Sequence, residues 1–600
     1  MVRMKYPFAL PENQPLLRYW FGGFRLEADG SFLSGEKQLE LPPDELAVLR
    51  LLLSRAGKAV SLRDLKQIAW GNEQIASGVV DACIDSLRAR LQPLDCIQPA
   101  YKRGYRFTVA VQSEGMWPAG QLKRLAVAPF ITGNGVPEYM GPAIAEETME
   151  QLNGGRQAVA TILARDSIST LARRGLSAQE MGKALNAELV LTGSINACAG
   201  RLRLRTEMIR VEDGAQLWVD ELLARGGRTT ELAKELTARL LSRLEASDAS
   251  LSAAAEDRQT KGNEAQQAEA REIYLHAHSN WQTLERHRMQ DAMGQLQRAI
   301  ELDPSLDAAR VDLGHLCVMQ AQYGFLPPLI AARIVRHVAL EDRGTPGLCE
   351  RVLPALGWIQ FHVDRNLPAA LEAFARTSHL PHDPWITRMR SSFWLSRHRF
   401  EEAIALLRDA IRVDPYSAWL HARLAWALHL AEERRASVEE IRKTITQFPE
   451  HADGHFYGAM ILAYNGDITR ALELSEAFAA RSPHFDLAMD VHAYVLACSG
   501  QAEEALTLLE QLQWLSRERY VLNAFQAAVF AVLGGVGAAV EELSLSNESR
   551  SPWFFQMLAD PRLKSLKGHP GFERLMSVLT QMENEAEAGV RPLNLVAAQG

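Results

Sequence analysis

LPPDELAVLRLLLSRAGKAVSLRDLKQIAWGNEQIASGVVDACIDSLRARLQPLDCIQPAYKRGYRF, residues 41–107, is the stretch whose reading decides the fold. Pro42 and Pro43 stand at a helix start, where a missing N–H costs nothing. Leu46, Leu49 and Leu53 then recur at helical spacing until Gly57 ends the run. Ser61 followed by Asp64 predicts a capping box that opens a short second helix, closed by Trp70-Gly71. Val80, Ile84, Leu87 and Leu91 fall on one stripe of a longer third helix. Ile97 to Phe107 reads as a hairpin, with Lys102-Arg103-Gly104 at its tip and Tyr105 and Phe107 on the return strand. Ahead of it, Trp20 to Leu41 alternates like a small antiparallel sheet.

Working outward, 600 residues are enough for several domains with cores of their own, and a net charge of −8 leaves local DNA binding open. Residues 1–112 hold about 15 Lys and Arg against about 12 Asp and Glu, so this end is basic and the remainder acidic. The six cysteines are scattered, which predicts a reducing compartment and no metal knuckle. The N-terminus has no signal-peptide layout. Ala527 to Val540 is apolar but too short to span a membrane, and reads as a packed helix pair. Val109 to Lys123 reads as a polar linker.

From Arg124 the pattern changes. Strands are expected at 124–130, 158–164, 188–195, 201–211 and 217–219, with helices at 137–152, 166–174 and 178–186, an α/β order. Gly133-Asn134-Gly135 follows the first strand, but no Lys-Ser/Thr completes a phosphate loop, so a hairpin or βα loop is expected. Thr229 to Leu244 is helical in pattern, and 246–267 reads as a connector.

The rest of the chain repeats. Pro381, Pro415, Pro449 and Pro483 lie 34 residues apart, with Ala369, Ala403, Ser437 and Ala471 twelve residues before them. Ala505 and Ala539 continue that series, and Gly357, Ser391, Ala425, Ala459, Ala493 and Ala527 form another twelve back. The small residues let two helices cross closely and the proline ends the second. Residues 324–346 break the register and read as an irregular insert, 560–572 as a closing motif, and 583–600 as a disordered tail.

Residues 41–53, 61–71, 79–91 and 103–107 together resemble the winged helix-turn-helix domain of OmpR/PhoB-type transcription regulators. LAVAPF (125–130) and LVLTGSI (189–195) resemble a TolB-N-like domain, and the 34-residue series has the period of the tetratricopeptide repeat. The expected fold is therefore multidomain. An α+β winged helix-turn-helix (15–110) precedes an α/β TolB-N-like domain (121–225) and a helical linker (226–265). An all-α tetratricopeptide-repeat solenoid (266–582) and a disordered tail (583–600) follow. The order resembles HilA-like regulators.

Catalysis has little support: no zinc-protease helix, nucleophile elbow, phosphate loop or kinase signature is present. No cofactor and no metal site is expected. His276 and His278 are two apart on a helix and do not face each other. Cys83 lies beside the core stripe and reads as a packing residue. DNA contact is the activity with physical support. The wheel of the third helix leaves Gly78, Ala82, Asp85, Ser86 and Ala89 outward, positions that the resemblance puts in the major groove. Regulators of this type often carry basic residues where this chain has Asp85 and Ser86. Ala82 fits a thymine methyl, and Asp85 accepts from cytosine or orients Arg88. Arg88 and Arg90 are expected at phosphates, and Lys102, Arg103 and Arg106 beside Tyr101 and Tyr105 form a basic wing. Trp70, Ser77 and Val79 complete the expected DNA-facing set.

The partners implied are double-stranded promoter DNA, RNA polymerase, a protein or peptide on the repeats, and a second copy as a homodimer on DNA, all in the cytoplasm and with no membrane. The alternative is a repeat-based adaptor whose winged domain no longer reads DNA; Asp85 and Ser86 favour it.

Overall fold

Apolar alternation in the first forty residues produces four short antiparallel strands: β1 (Leu16–Phe21), β2 (Phe24–Leu26), β3 (Phe32–Ser34) and β4 (Lys37–Leu39). These come from a computed structural model that describes residues 16–27, 31–35, 37–54, 56–57, 59–70, 72, 75–100, 104–109, 111–116, 123–153, 160–163, 165–198, 201–225, 229–244, 261–281, 285–340, 348–377, 383–482 and 485–588. Phe21, Phe24 and Phe32 stack on one face of this sheet, and Phe107 meets Phe21 edge-on at 5.1 Å.

The winged segment follows: α1 (Pro43–Ser54), β5 (Ala59–Val60), α2 (Leu62–Trp70), α3 (Ser77–Arg90), β6 (Ile97–Ala100) and β7 (Gly104–Phe107). The Ser61 hydroxyl caps α2 by accepting from the Asp64 N–H at 3.1 Å. The stripe expected on α3 is buried at Val80, Ile84 and Leu87, with Leu91 just beyond the helix, against Leu49, Leu52 and Leu65. β7 lies between β5 and β6. Gly104 has φ +105, and a Cβ there would sit 2.0 Å from the Val60 carbonyl oxygen, so only glycine admits this approach.

The stretch 109–123, expected as linker, contains a strand, β8 (Gln112–Met116), which pairs antiparallel with β1 from Trp20↔Gln112 to Leu16↔Met116. Its polar composition hid it, because an edge strand takes its stability from backbone hydrogen bonds as much as from side chains.

β9 (Lys123–Val127), β10 (Ile131–Thr132), α4 (Met140–Asn153), β11 (Ala160–Ile162), α5 (Arg165–Arg173), α6 (Ala178–Ala184), β12 (Leu189–Cys198), β13 (Arg201–Arg210) and β14 (Gln216–Arg225) make the expected α/β order. The sheet runs β11-β9-β12-β13-β14, with β10 on β12. β14 is longer than the 217–219 expected, because it pairs with β13 along almost its whole length. The backbone N–H of Gly133 donates to the Ile195 carbonyl at 2.8 Å, so the first of the two glycines extends the pairing of β10 with β12. The span expected as a linker, 226–265, contains α7 (Thr229–Leu244). This helix packs on α4, with Leu232, Ala233, Leu236 and Leu240 buried in the same core as β9 and β12.

The chain divides into two units, Met1–Arg258 and Gln259–Gly600. The second unit is helical. Its pairs are α8 (Lys261–Trp281) with α9 (Arg286–Leu302), α10 (Asp307–Gln322) with α11 (Pro328–Leu340), and α12 (Leu348–His362) with α13 (Leu367–Arg376). Next come α14 (Pro384–Ser396) with α15 (Phe400–Val413), α16 (Ala418–Leu430) with α17 (Arg434–Gln447), and α18 (Ala452–Tyr464) with α19 (Ile468–Arg481). Then follow α20 (Asp486–Cys498) with α21 (Ala502–Leu515) and α22 (Gln526–Val532) with α23 (Val536–Glu548). Last come the short α24 (Phe554–Leu558), a 3-10 turn (Pro561–Leu566) and α25 (Pro570–Glu587).

The period is written in the backbone. His398, Glu432, Gly466, Gly500, Gly534 and Gly568 take left-handed φ values of 57–87° and lie 34 residues apart, the first five at the turn inside a pair and Gly568 just before α25. Ala403, Ser437, Ala471, Ala505 and Ala539, and Ser391, Ala425, Ala459, Ala493 and Ala527, are all fully buried at the helix crossings.

Three expectations are corrected. The crossing residue of α13 is Ala370 and not Ala369: Arg365 takes the left-handed turn 33 residues before His398, so that turn holds one extra residue and shifts α13 by one. Within the expected insert, 324–346, residues 328–340 form α11, which buries Ala331, Ala332, Val335 and Val338, and 341–346 lie outside the described set. The helix α25 runs to Glu587, so the tail begins later than 583, and residues 589–600 lie outside the described set. Pro381 and Pro483 also lie outside it.

Candidate nucleic-acid interface

α3 presents Ser77, Gly78, Val79, Asp81, Ala82, Asp85 and Ala89 to solvent, with Val79 44% exposed. That surface is small and apolar along one strip and acidic beside it. The acids do not stand free. The Tyr105 hydroxyl on β7 donates to Asp81 at 2.7 Å, and Asp85 pairs with Arg88 at 3.0 Å. Burial and the neighbouring Asp81 push the Tyr105 hydroxyl up to about 12, so it stays a donor.

Arg88, expected at a phosphate, is engaged within the domain. Its Nε and Nη2 both donate to the Ile97 carbonyl, at 3.0 and 2.9 Å, and its guanidinium lies 5.7 Å from the Tyr105 ring. It clamps the hairpin onto α3. Arg90 points the other way: it pairs with Glu45 of α1 at 2.9 Å and donates to the Glu40 carbonyl at 3.0 Å. Ser86, expected outward, is half-buried because its hydroxyl donates to the same Glu45 at 2.7 Å. Glu45, nearly fully buried, is thus the acid that holds α3 against α1. Neither Glu45 nor Asp81 stands out in the sequence. Both contacts join residues far apart in the chain, and no local spacing announces them.

Trp70 ends α2 and packs partly buried against the core. Ser77 accepts from Lys66 at 3.3 Å. Arg106 is exposed on β7 and has no ion-pair partner among the described residues. Tyr101, Lys102 and Arg103 lie outside the described residues. Cys83 is buried on the inner side of α3, and burial with Asp44 and Glu45 pushes its thiol up to about 12, which makes it a packing group. His276 and His278 diverge as expected: the first meets Gln295, and the second pairs with the buried Asp312. Among the described residues no group of His, Cys, Asp or Glu is arranged to hold a metal ion, and no helix is long and apolar enough to cross a membrane.

A strand-flanked three-helix core with an exposed third helix and a hairpin wing defines a winged helix-turn-helix, and residues 35–107 match the family described as "Transcriptional regulatory protein, C terminal". This segment is an OmpR/PhoB-type domain. The chain is 37% identical over 118 residues to the transcriptional regulator HilA of Salmonella typhi, and 36% identical over the same length to that of Salmonella typhimurium. Each match covers 19% of this chain and 21% of the relative, so the chain spans about a fifth of the length of the curated relatives it matches. Among solved structures, a Rap protein complexed with competence and sporulation factor aligns over 54% of this chain and 99% of its own, at 12% identity and a TM-score of 0.38. TolB from Acinetobacter baumannii aligns over 21% of this chain and 29% of its own, at 17% identity and a TM-score of 0.16.

Proposed function

We propose that this chain is a sequence-specific DNA-binding transcription regulator of the activating kind, working in the cytoplasm, with a helical array that receives a protein or peptide signal. The observation that carries this reading is the family match over 35–107 on a segment whose third helix exposes a narrow, small-residue face. In this reading Ser77, Val79, Ala82 and Asp85 meet base edges in the major groove. Tyr101, Lys102, Arg103 and Arg106 carry the wing to the backbone or a narrow minor groove. Arg88, Arg90, Ser86 and Trp70 act indirectly, by fixing the angle between helix and wing. RNA polymerase and a second copy on adjacent half-sites are the further partners. The middle α/β domain is proposed to be TolB-N-like, and the array to be a tetratricopeptide solenoid.

A second reading has an observation of its own. Two arginines that would have met phosphates are engaged inside the domain, and two aspartates stand on the exposed helix. That pattern suits a protein-interaction module. Selection of duplexes from a random pool by the full chain separates the two. Enrichment of one motif supports the regulator, and no retention of duplex at low salt supports the adaptor.

A further inference from the structure

In each helix pair of the array the second helix buries a single stripe; α15 buries only Ala403, Ile404, Leu407 and Ala410. The first helices are different. Every residue of α16 is buried, and α18 is buried from Asp453 to Ala463. A helix of that kind is covered on all sides. Neighbouring helices cover most of that surface, and residues 551–566 of the same chain reach the rest: Trp426 meets Trp553 and Gln556, His429 meets Asp560, and Phe456 of α18 meets Trp553.

That segment stands where the next repeat would place one long helix, since Gly568 keeps the 34-residue turn series. Instead it breaks into α24 and the 3-10 turn, with Pro561 unable to continue a helix. Its contacts are specific and distant in sequence. The Trp553 indole N–H donates to the Gln322 carbonyl at 2.7 Å, 231 residues away. His398 donates to the Phe555 carbonyl at 2.8 Å, and the Trp426 indole N–H donates to the Gln556 side chain at 3.1 Å. Asp560 takes the Arg562 guanidinium at 2.6 Å and His429 at 3.3 Å, and Arg562 lies over the rings of Tyr494 and Trp426 at 4.7 and 5.5 Å. A main-chain carbonyl at the end of α10 and side chains from the α14–α15 turn, α16 and α20 thus meet the backbone and side chains of one short segment.

We propose that residues 551–566 are a built-in ligand of the array: the inner surface is a peptide-recognition surface held closed by this segment, and it opens to a peptide of the same chemistry, an aromatic run followed by an acid and an arginine. The proposal rests on the array being the receiving region; it is independent of DNA contact. In repeat arrays stability is local and the end units open first, so a terminal segment can leave while the centre stays folded.

The test uses the full chain with a specific protease site inserted between Ser549 and Arg550, at the exit of α23. After cleavage, a labelled synthetic copy of residues 550–588 is added in excess. The labelled copy should replace the cut fragment, and copies carrying Asp560→Asn or Arg562→Ala should compete at least tenfold less well. A cut fragment that stays until the array itself unfolds, or a scrambled copy that competes equally, overturns the proposal. Hydrogen exchange on the unmodified chain gives an independent reading: amides of 554–566 should exchange faster than those of α16 and α18, and equal protection overturns it. A segment that never exchanges would leave the outer helices as the receiving surface, whereas an exchanging segment with no effect of any protein on transcription would sink the receiving role itself.

Discussion

Replacing Arg88 by Ala removes both bonds to the Ile97 carbonyl, the Asp85 pair and the contact with Tyr105 at once. Hydrogen bonds from a charged donor are each worth up to ~1.5–3 kcal/mol, and partial exposure puts this site at the lower end. Hydrogen exchange at 97–107 should therefore quicken by about tenfold, and unchanged protection would show that the hairpin does not depend on this clamp. Of these contacts only the pair with Asp85 was legible in the sequence. Arg88 lies on a helix with an acid three residues before it, which reads as a surface pair, and its principal partner is a main-chain carbonyl beyond the next turn.

His362 supplies a pH dependence of known sign. Its ring is fully buried with no hydrogen-bond partner among the described residues, and burial, then Arg365 and Arg423, holds it well below the usual histidine range. The unfolded chain then binds a proton below ~pH 6.5 that the folded chain refuses, so stability is lost as pH falls, by up to ~1.4 kcal/mol per pH unit. The buried Asp490 works in the opposite sense, because burial and Asp486 raise its carboxyl well above the ordinary range. Comparison with His362→Phe isolates the histidine: melting of the variant relative to the parent should improve steadily from pH 6.5 to 5. A difference independent of pH would contradict the assignment.

At the scale of elements, the 34-residue series was legible because each turn and each crossing leaves a residue type behind. Gly500 has φ +87, and a Cβ at that position would have nothing within 4 Å, so Gly500→Ala meets only the backbone cost of the left-handed conformation, ~1–2 kcal/mol. Thermal melts should show that loss, and a variant as stable as the parent would deny the left-handed turn. Ala425→Trp or Ala459→Trp, at fully buried crossings, should overpack by ~1–3 kcal/mol or more. Both variants melting with the parent would mean that these helices do not cross there. The misreadings have physical reasons. Ala369 and Ala370 are both small, so the extra residue in the turn before α13 left no mark in composition. Gly324 and Arg365, successive left-handed turns, lie 41 residues apart, and the longer spacing disguised α11 as an insert.

Over the whole molecule, composition and pattern reveal the order of the parts, and pairings across long distances stay hidden. The winged segment was legible because its three helices and hairpin are local. The closing residues 560–572 were visible as a motif, but the partners of Trp553 and Asp560 lie 231 and 131 residues earlier in the chain. Likewise β8 shows itself only when β1 is beside it.

The central claim is that the winged segment holds DNA through its wing and reads it through α3. With Arg88 and Arg90 engaged inside the domain, much of the attraction to phosphates is assigned to the exposed Arg106 and to Arg103 at the tip of the hairpin sequence. The direct measurement is a salt titration of full-chain binding to a duplex selected from a random pool, for the parent, Arg103→Ala, Arg106→Ala and Asp85→Ala. The parent's log affinity should fall linearly with log salt, and each arginine variant should weaken binding and lower the slope by about 0.5–1. Asp85→Ala should change the preferred sequence and leave the slope nearly unchanged. A folded parent that retains no duplex at low salt, or arginine variants that match the parent at every salt concentration, would contradict the account.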